Sequence, residues 1–189
     1  SKATITAAPP SAWYLVGRLA NPRRAERLSL ASLRVAFVGA EAIFPETMRA
    51  VIQRLGPAGL SALALTPAYG MAEVGLAVTI TKLGQCVRTV ECAGSTYVAC
   101  GSPVADQVIR IANEGGESLP DLVPGRIYVR SPSLMSGYFD DAEATKSVVR
   151  NSWYDTKDFG FLHDGQIYIV GRDDDVINIG GEKYGPGLF

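Results

Sequence analysis

Leu33-Arg34-Val35-Ala36-Phe37-Val38 is a nearly continuous apolar run that ends in Gly39. A strand of a parallel sheet reads this way, because layers cover both of its faces and neither turns polar. Downstream, Pro45 suits the first turn of a helix, Thr47 to Leu55 continues it, and Gly56-Pro57 ends it. Leu60 to Leu65 then reads as a second buried strand, closing at Thr66-Pro67. Strand, helix and strand within about 35 residues make a βαβ unit and an α/β layer. Upstream, Ala3 to Ala8 is β-prone and stops at Pro9-Pro10. Ser11 to Leu19 has helical spacing, with Ala12, Leu15, Val16 and Leu19 on one face, and Asn21-Pro22 stops it.

The pattern changes after residue 95. Val98 to Cys100, Gln107 to Ala112, Arg126 to Ser131 and Gln166 to Val170 read as short strands. Glu114-Gly115-Gly116, Pro124-Gly125 and Asp164-Gly165 supply the turns between them. Asp140 is a plausible N-cap for one helix, Asp141 to Arg150, with Glu143 in its first turn. The expected fold class is therefore α/β: the last part of a parallel α/β layer, followed by a small antiparallel, β-barrel-like subdomain. Residues 1–95 are assigned to the first, 96–171 to the second, and 172–189 to a closing segment.

Composition narrows the function classes. Hydrophobic residues are 47% and charged residues 20% of 189, ordinary globular values that exclude disorder of the whole chain. Lys plus Arg is 18 against 19 for Asp plus Glu, so no bulk basic field exists to hold nucleic acid. No apolar run approaches the ~20 residues that span a bilayer. Ser1 to Thr6 lacks the charged start and apolar core of a secretion signal. Three cysteines, Cys86, Cys92 and Cys100, are too few and too oddly spaced for a disulfide framework or a zinc site. Their odd number fits reduced thiols and a cytoplasmic location. The one histidine, His163, lies in the turn-like Leu162-His163-Asp164-Gly165, which excludes a His-rich metal site. The chain opens without Met in a β-prone stretch and closes on Gly-Pro-Gly-Leu-Phe, which raises the expectation of a piece of a longer protein.

Four segments have the residue types of a ligand site. Thr66 to Glu73 follows a buried strand, where α/β sheets bind ligands. There Gly70 permits close approach, Tyr69 offers a flat face for a base, and Glu73 is an oxygen ligand of the kind Mg²⁺ prefers. Gly39-Ala40-Glu41 follows the neighbouring strand. Asp158, in Thr156-Lys157-Asp158, is placed in a turn before a hairpin, where a carboxylate can accept both hydroxyls of a ribose. Arg172, ahead of Asp173-Asp174-Asp175, offers a planar fork of donors. Each segment taken alone also reads as an ordinary turn: a packed tyrosine with a solvated glutamate, a Gly-led connection, an Asx-turn and an acidic loop. Neither GxxxxGK[ST] nor GxGxxG is present.

In order, Gly39-Ala40-Glu41, Tyr69-Gly70-Met71-Ala72-Glu73, Gly101-Ser102-Pro103, Pro124 to Ser131, Ser136-Gly137-Tyr138-Phe139, Thr156-Lys157-Asp158 and Gly171 to Ile177 resemble the adenylate-forming superfamily of acyl and aryl ligases. Thr6 to Trp13 and Ala68 to Glu73 look most like its fatty acyl-AMP ligase branch. The resemblance implies that a carboxylate attacks the α-phosphate of ATP, giving an acyl adenylate and pyrophosphate. The acyl group then passes to a thiol, on a carrier protein or on coenzyme A. It further implies a nucleotide site of Gly39, Ala40, Glu41, Ala68, Tyr69, Gly70, Met71, Asp158 and Arg172. Glu73 becomes a Mg²⁺ ligand, Ala8, Pro9 and Ala12 line an acyl tunnel, and Asp174 is the hinge to a C-terminal domain. Lys157 departs from the family's usual Thr-Gly-Asp, and a lysine there is expected to weaken or re-aim the ribose contact or to mark a non-catalytic relative. The family's pyrophosphate loop falls before Ser1 and its catalytic lysine after Phe189, so this stretch alone is expected not to make adenylate.

Overall fold

In the computed structural model, which describes residues 2–19, 29–172, 177–179 and 182–184, the chain divides into two units. The first comprises Ser1–Ala68 and Ile80–Gly101, the second Tyr69–Thr79 and Ser102–Phe189.

The first unit holds the parallel layer. Strand β1 (Ile5–Ala8) pairs in parallel with β2 (Val35–Val38), which pairs in parallel with β3 (Leu65–Tyr69). Helix α1 (Pro10–Leu19) follows β1, and helix α2 (Pro45–Leu55) connects β2 to β3. Pro45 opens α2, and Pro45, Met48, Val51 and Leu55 form its buried stripe. Of that stripe, Met48, Val51 and Leu55 pack with Trp13, Leu33, Ala36, Val38, Leu60 and Leu65 into one core.

Two expectations need correction here. The third strand is not Leu60 to Leu65. Leu60 is buried, but Ser61 accepts a hydrogen bond from Leu63 N and caps a short 3₁₀ turn over Ala62–Ala64, so extended chain begins only at Leu65. Helix α1 turns the opposite face inward from the one its apolar spacing indicated. Trp13 and Gly17 are buried, while Leu15, Val16 and Leu19 are exposed. Trp13 Nε1 donates to Phe37 O at 3.2 Å, and the buried Gly17 lies beside the Arg54 side chain of α2. A tryptophan and a glycine one turn apart thus set the packing face.

Short strands β4 (Thr79–Ile80), β5 (Thr89–Cys92), β6 (Ser95–Val98) and β7 (Ser102–Pro103) follow, with β5 and β6 a hairpin. The second unit is built on β8 (Val108–Ala112), β9 (Gly125–Arg130), β11 (Trp153–His163) and β12 (Gln166–Arg172), with helix α3 (Ala142–Val148) and β10 (Val149–Arg150) between β9 and β11. All pairings are antiparallel: β8 with β9, β9 with β11, and β11 with β10 at its start and β12 at its end. Ile111, Ile127, Val129, Phe161 and Ile167 are buried, and the Phe161 and Tyr168 rings stack at 5.0 Å. The sheet is open, and no closed barrel forms among the described residues. Asp164 and Gly165, both at positive φ, make the hairpin turn after His163.

The expected helix Asp141 to Arg150 is shorter. Asp141, not Asp140, caps it by accepting from Ala144 N at 2.9 Å, and β-branched Val149 leaves it for β10. The eleven-residue β11 replaces the turn expected around Asp158. Backbone strands β13 (Ile177–Ile179) and β14 (Glu182–Tyr184) form a last antiparallel pair. No helix of the described residues is long and apolar enough to cross a membrane. Cys86 is exposed, Cys92 and Cys100 are buried, and none of the three forms a disulfide.

Candidate functional site

In the first unit, the registers Ala8↔Val38 and Val38↔Pro67 align the carboxyl ends of β1, β2 and β3. Ala8 and Pro9, Gly39 and Ala40, and Ala68 therefore share one edge of the parallel layer, the edge at which such sheets take ligands. Gly39 has a steric reason to be glycine: a Cβ there would stand 2.7 Å from Ala68 O. Ala40 follows at φ 67°, turning the chain sharply off β2. The exposed Glu41 uses both carboxylate oxygens on Ser11, accepting from its backbone N at 3.0 Å and its hydroxyl at 2.8 Å. That places a carboxylate at the first turn of α1, where unpaired N–H groups and the helix dipole favour it. Ala12, one residue on, donates from its backbone N to Pro9 O at 3.0 Å.

In the second unit, Tyr69, Asp158, Arg172 and Glu73 form one electrostatic group. The Tyr69 hydroxyl donates to Asp158 Oδ2 at 2.7 Å. Asp158 faces Arg172 across the β11–β12 pair, and Arg172 Nη1 lies 3.8 Å from Asp158 Oδ1. Burial pushes the Asp158 carboxyl above its ordinary range, with Tyr69 and Arg172 opposing and Glu73 and Asp155 adding to the rise. Gly70 tolerates no side chain, because a Cβ would run into Leu76 O. Met71 then leads into a single 3₁₀ turn, Ala72–Val74, that presents Glu73.

Two neighbours fix that turn. Met135 N donates to Glu73 O at 2.7 Å, and the Ser133 hydroxyl donates to Val74 O at 2.6 Å. The Tyr138 hydroxyl donates to Glu73 Oε1 at 2.9 Å and lies 3.3 Å from the Tyr154 hydroxyl. Burial works against ionisation of Glu73. The backbone hydrogen bond, the two tyrosine hydroxyls and the Arg172 charge outweigh it and hold the carboxyl below its ordinary value. Tyr154 is pushed far up, first by burial and then by Tyr138 and Glu73, so it stays a neutral donor. Sequence reasoning missed Tyr138 and Tyr154 as partners of Glu73. Tyr138 stood inside the quoted Ser136 to Phe139 segment, but no local signal links it to a carboxylate 65 residues away.

Asp158 lies in a slip of β11 on β9. Asp155 pairs with Tyr128 and Phe159 with Arg126, so Thr156, Lys157 and Asp158 share that irregular stretch. Lys157 stands at φ 63°, a conformation glycine adopts most easily. Its ammonium sits 3.1 Å from Asp155 Oδ2. Asp174, the expected hinge, lies outside the described residues.

Residues 1–139 match the family model described as AMP-binding enzyme. The chain belongs to that family. It is an adenylate-forming ligase fold, and the relatives bear this out. A protein of Caulobacter vibrioides, whose name provisionally places it among the acyl-CoA synthetases, is 32% identical over 98% of this chain and 36% of its own length. A medium-chain-fatty-acid–[acyl-carrier-protein] ligase of Moorena producens is 33% identical over 84% of this chain and 32% of its own. A solved structure from work on fatty acyl-adenylate ligases of E. coli and L. pneumophila superposes with TM-score 0.90 at 32% identity, over 98% of this chain and 37% of that one. The chain thus spans about a third of the length of these AMP-binding relatives.

Proposed function

We propose that this chain is part of an ATP-dependent ligase that activates a fatty acid as acyl-AMP, for transfer to the phosphopantetheine thiol of a carrier protein. The observation that carries the reading is the buried carboxylate of Asp158, held by the Tyr69 hydroxyl and faced by Arg172. A carboxylate beside a guanidinium can accept the two hydroxyls of a ribose while the arginine offsets its charge. The Tyr69 ring, with Gly70 and Met71, then serves the adenine and α-phosphate. By the family resemblance Gly39, Ala40, Glu41 and Ala68 are nucleotide-binding residues, and small Ala8, Pro9 and Ala12 leave room for an acyl chain. Because Ser11 occupies the Glu41 side chain, Glu41 contributes through its backbone.

The residues fit Mg²⁺. Among the described residues no group of three or more His, Cys, Asp or Glu could enclose a metal. Glu73, held below its ordinary value, offers an ionised carboxylate, which suits an ion that keeps its waters and takes one or two carboxylates beside substrate phosphates. Bound there, Mg²⁺ would offset phosphate charge as pyrophosphate leaves. Tyr138 and the pinned 3₁₀ turn orient Glu73 for it. In the reaction, a carboxylate oxygen of the acid bonds to the α-phosphorus of ATP, and the bond to the bridging oxygen breaks with its electron pair going to pyrophosphate.

The name of the Caulobacter relative supports a second acceptor, coenzyme A, with the same first step. ATP–pyrophosphate exchange by the full-length protein carrying this chain tests the proposal, run against fatty, aryl and amino acids beside Glu73→Ala. Exchange driven by fatty acids and lost in the variant is expected. Folded protein that binds ATP but exchanges with no acid would overturn it.

A further inference from the structure

Between Asp155 and Phe159 the chain of β11 takes four steps, while its partner β9 takes two, from Tyr128 to Arg126. The surplus residues end at Asp158, and one carboxylate gathers them. Asp155 Oδ1 accepts from Lys157 N at 3.1 Å. Asp155 Oδ2 takes the Lys157 ammonium and Arg126 Nη1, each at 3.1 Å. The Asp155 side chain is only 14% exposed, so water screens its pair with Arg126 less than its pair with the more exposed Lys157. A second clasp follows: the Thr156 hydroxyl donates to Ile127 O at 2.9 Å and accepts from Asp158 N at 3.1 Å. Asp158 leaves the bulge already aimed at Tyr69 and Arg172. The lysine that replaces glycine is also accounted for. Its backbone sits at φ 63°, and its ammonium is committed to Asp155, so the bulge is held by charge where glycine would permit it by lack of a side chain.

We propose that Asp155 is a positioning residue for the nucleotide: by clamping the Thr156–Lys157 bulge, it fixes the direction in which Asp158 presents its carboxylate to the ribose. This rests on the reading of Asp158 as the ribose acceptor. Asp155 acts through the bulge, its oxygens taken up by Lys157 N, the Lys157 ammonium and Arg126. Its loss leaves Asp158 chemically intact but free to reorient, so binding must then order a group that was preorganised.

Equilibrium binding of AMP and of 2′,3′-dideoxy-AMP to the full-length protein carrying this chain tests it, because the ratio of the two dissociation constants reads the ribose hydroxyls alone. Wild type prefers AMP, and Asp158→Ala abolishes the preference. Asp155→Ala is expected to cut the preference by about threefold to tenfold, the range of a weakened hydrogen bond to a charged group. Affinity for the dideoxy compound, which reports the fold, stays. Asp155→Asn, which keeps one acceptor for Lys157 N, loses less. A wild-type ratio in Asp155→Ala, or in Asp155→Asn should the alanine variant not fold, overturns the positioning role. Absence of preference in wild type, or its survival in Asp158→Ala, removes the ribose reading instead, and the positioning role with it.

Discussion

The hydroxyl of Tyr69 lies 2.7 Å from Oδ2 of Asp158, a residue 89 positions further along the chain. It ends β3, while Asp158 lies mid-way along β11. A buried carboxylate without its donor is costly. Tyr69→Phe keeps the ring and removes only the hydroxyl, so it should lower stability by about 1–3 kcal/mol. Chemical denaturation checks this. The same variant should raise the ATP KM, since Asp158 loses one of the groups that orient it.

Asp158 also makes stability depend on pH, with a definite sign. Its folded carboxyl is raised above its ordinary value, chiefly by burial. The folded state therefore binds the proton more tightly than the unfolded chain. The ionised group is a constant penalty at neutral pH, and that penalty shrinks as pH falls through the raised value towards the ordinary carboxylate range. Asp158→Asn removes the penalty. Melting temperatures across pH should show the variant's advantage greatest near neutrality and fading on acidification. Nucleotide binding should be lost at every pH. An advantage that grows on acidification would contradict the sign.

Lys157 sets two opposing terms. Its left-handed backbone costs a residue with a side chain about 1 kcal/mol relative to glycine. Its half-exposed ion pair with Asp155 returns about 0–1 kcal/mol. Lys157→Gly should accordingly shift the melting temperature by only a few degrees. Lys157→Val loses the pair and places a β-branched residue at positive φ, so it should destabilise clearly more. Thermal melts of the three proteins rank them directly. Equal losses for Gly and Val would mean that backbone conformation plays no part here.

These residues also show what the sequence carries. Val35 to Val38 is apolar on both faces, and only a covered strand needs that, so the parallel layer was legible. Pro45 marked the start of α2 for an equally local reason. The strand after it was displaced to Leu65 because the Ala62–Ala64 3₁₀ turn is as apolar in sequence as a buried strand, although Leu63 is exposed. The inward face of α1 depended on a tertiary partner: Trp13 bonds to Phe37 O, and Leu15 and Val16 stay outside. Asp155 to Asp158 looked like a polar turn because its charges pair across a bulge inside a long strand. Tyr69, Glu73, Asp158 and Arg172 were singled out by type and order, and the structure brings them into one charged group. Tyr138 and Asp155 act through contacts that no spacing announces.

Glu41 offers a way to separate a structural role from a binding one. Its carboxylate caps α1 through Ser11 N and Ser11 Oγ. Ser11→Ala removes one of these bonds and leaves the other, since the backbone N remains. Glu41→Ala removes both, together with the favourable charge at the helix start, and should cost about 1 kcal/mol, as lost caps do. The serine variant should cost less. If Glu41 serves the nucleotide only through its backbone, neither variant should change ATP affinity beyond what the loss of stability explains. Calorimetric binding alongside thermal melts makes the comparison. A Glu41→Ala protein that melts like Ser11→Ala yet binds ATP far more weakly would return the side chain to the nucleotide site, and would require Ser11 to release it when ATP arrives.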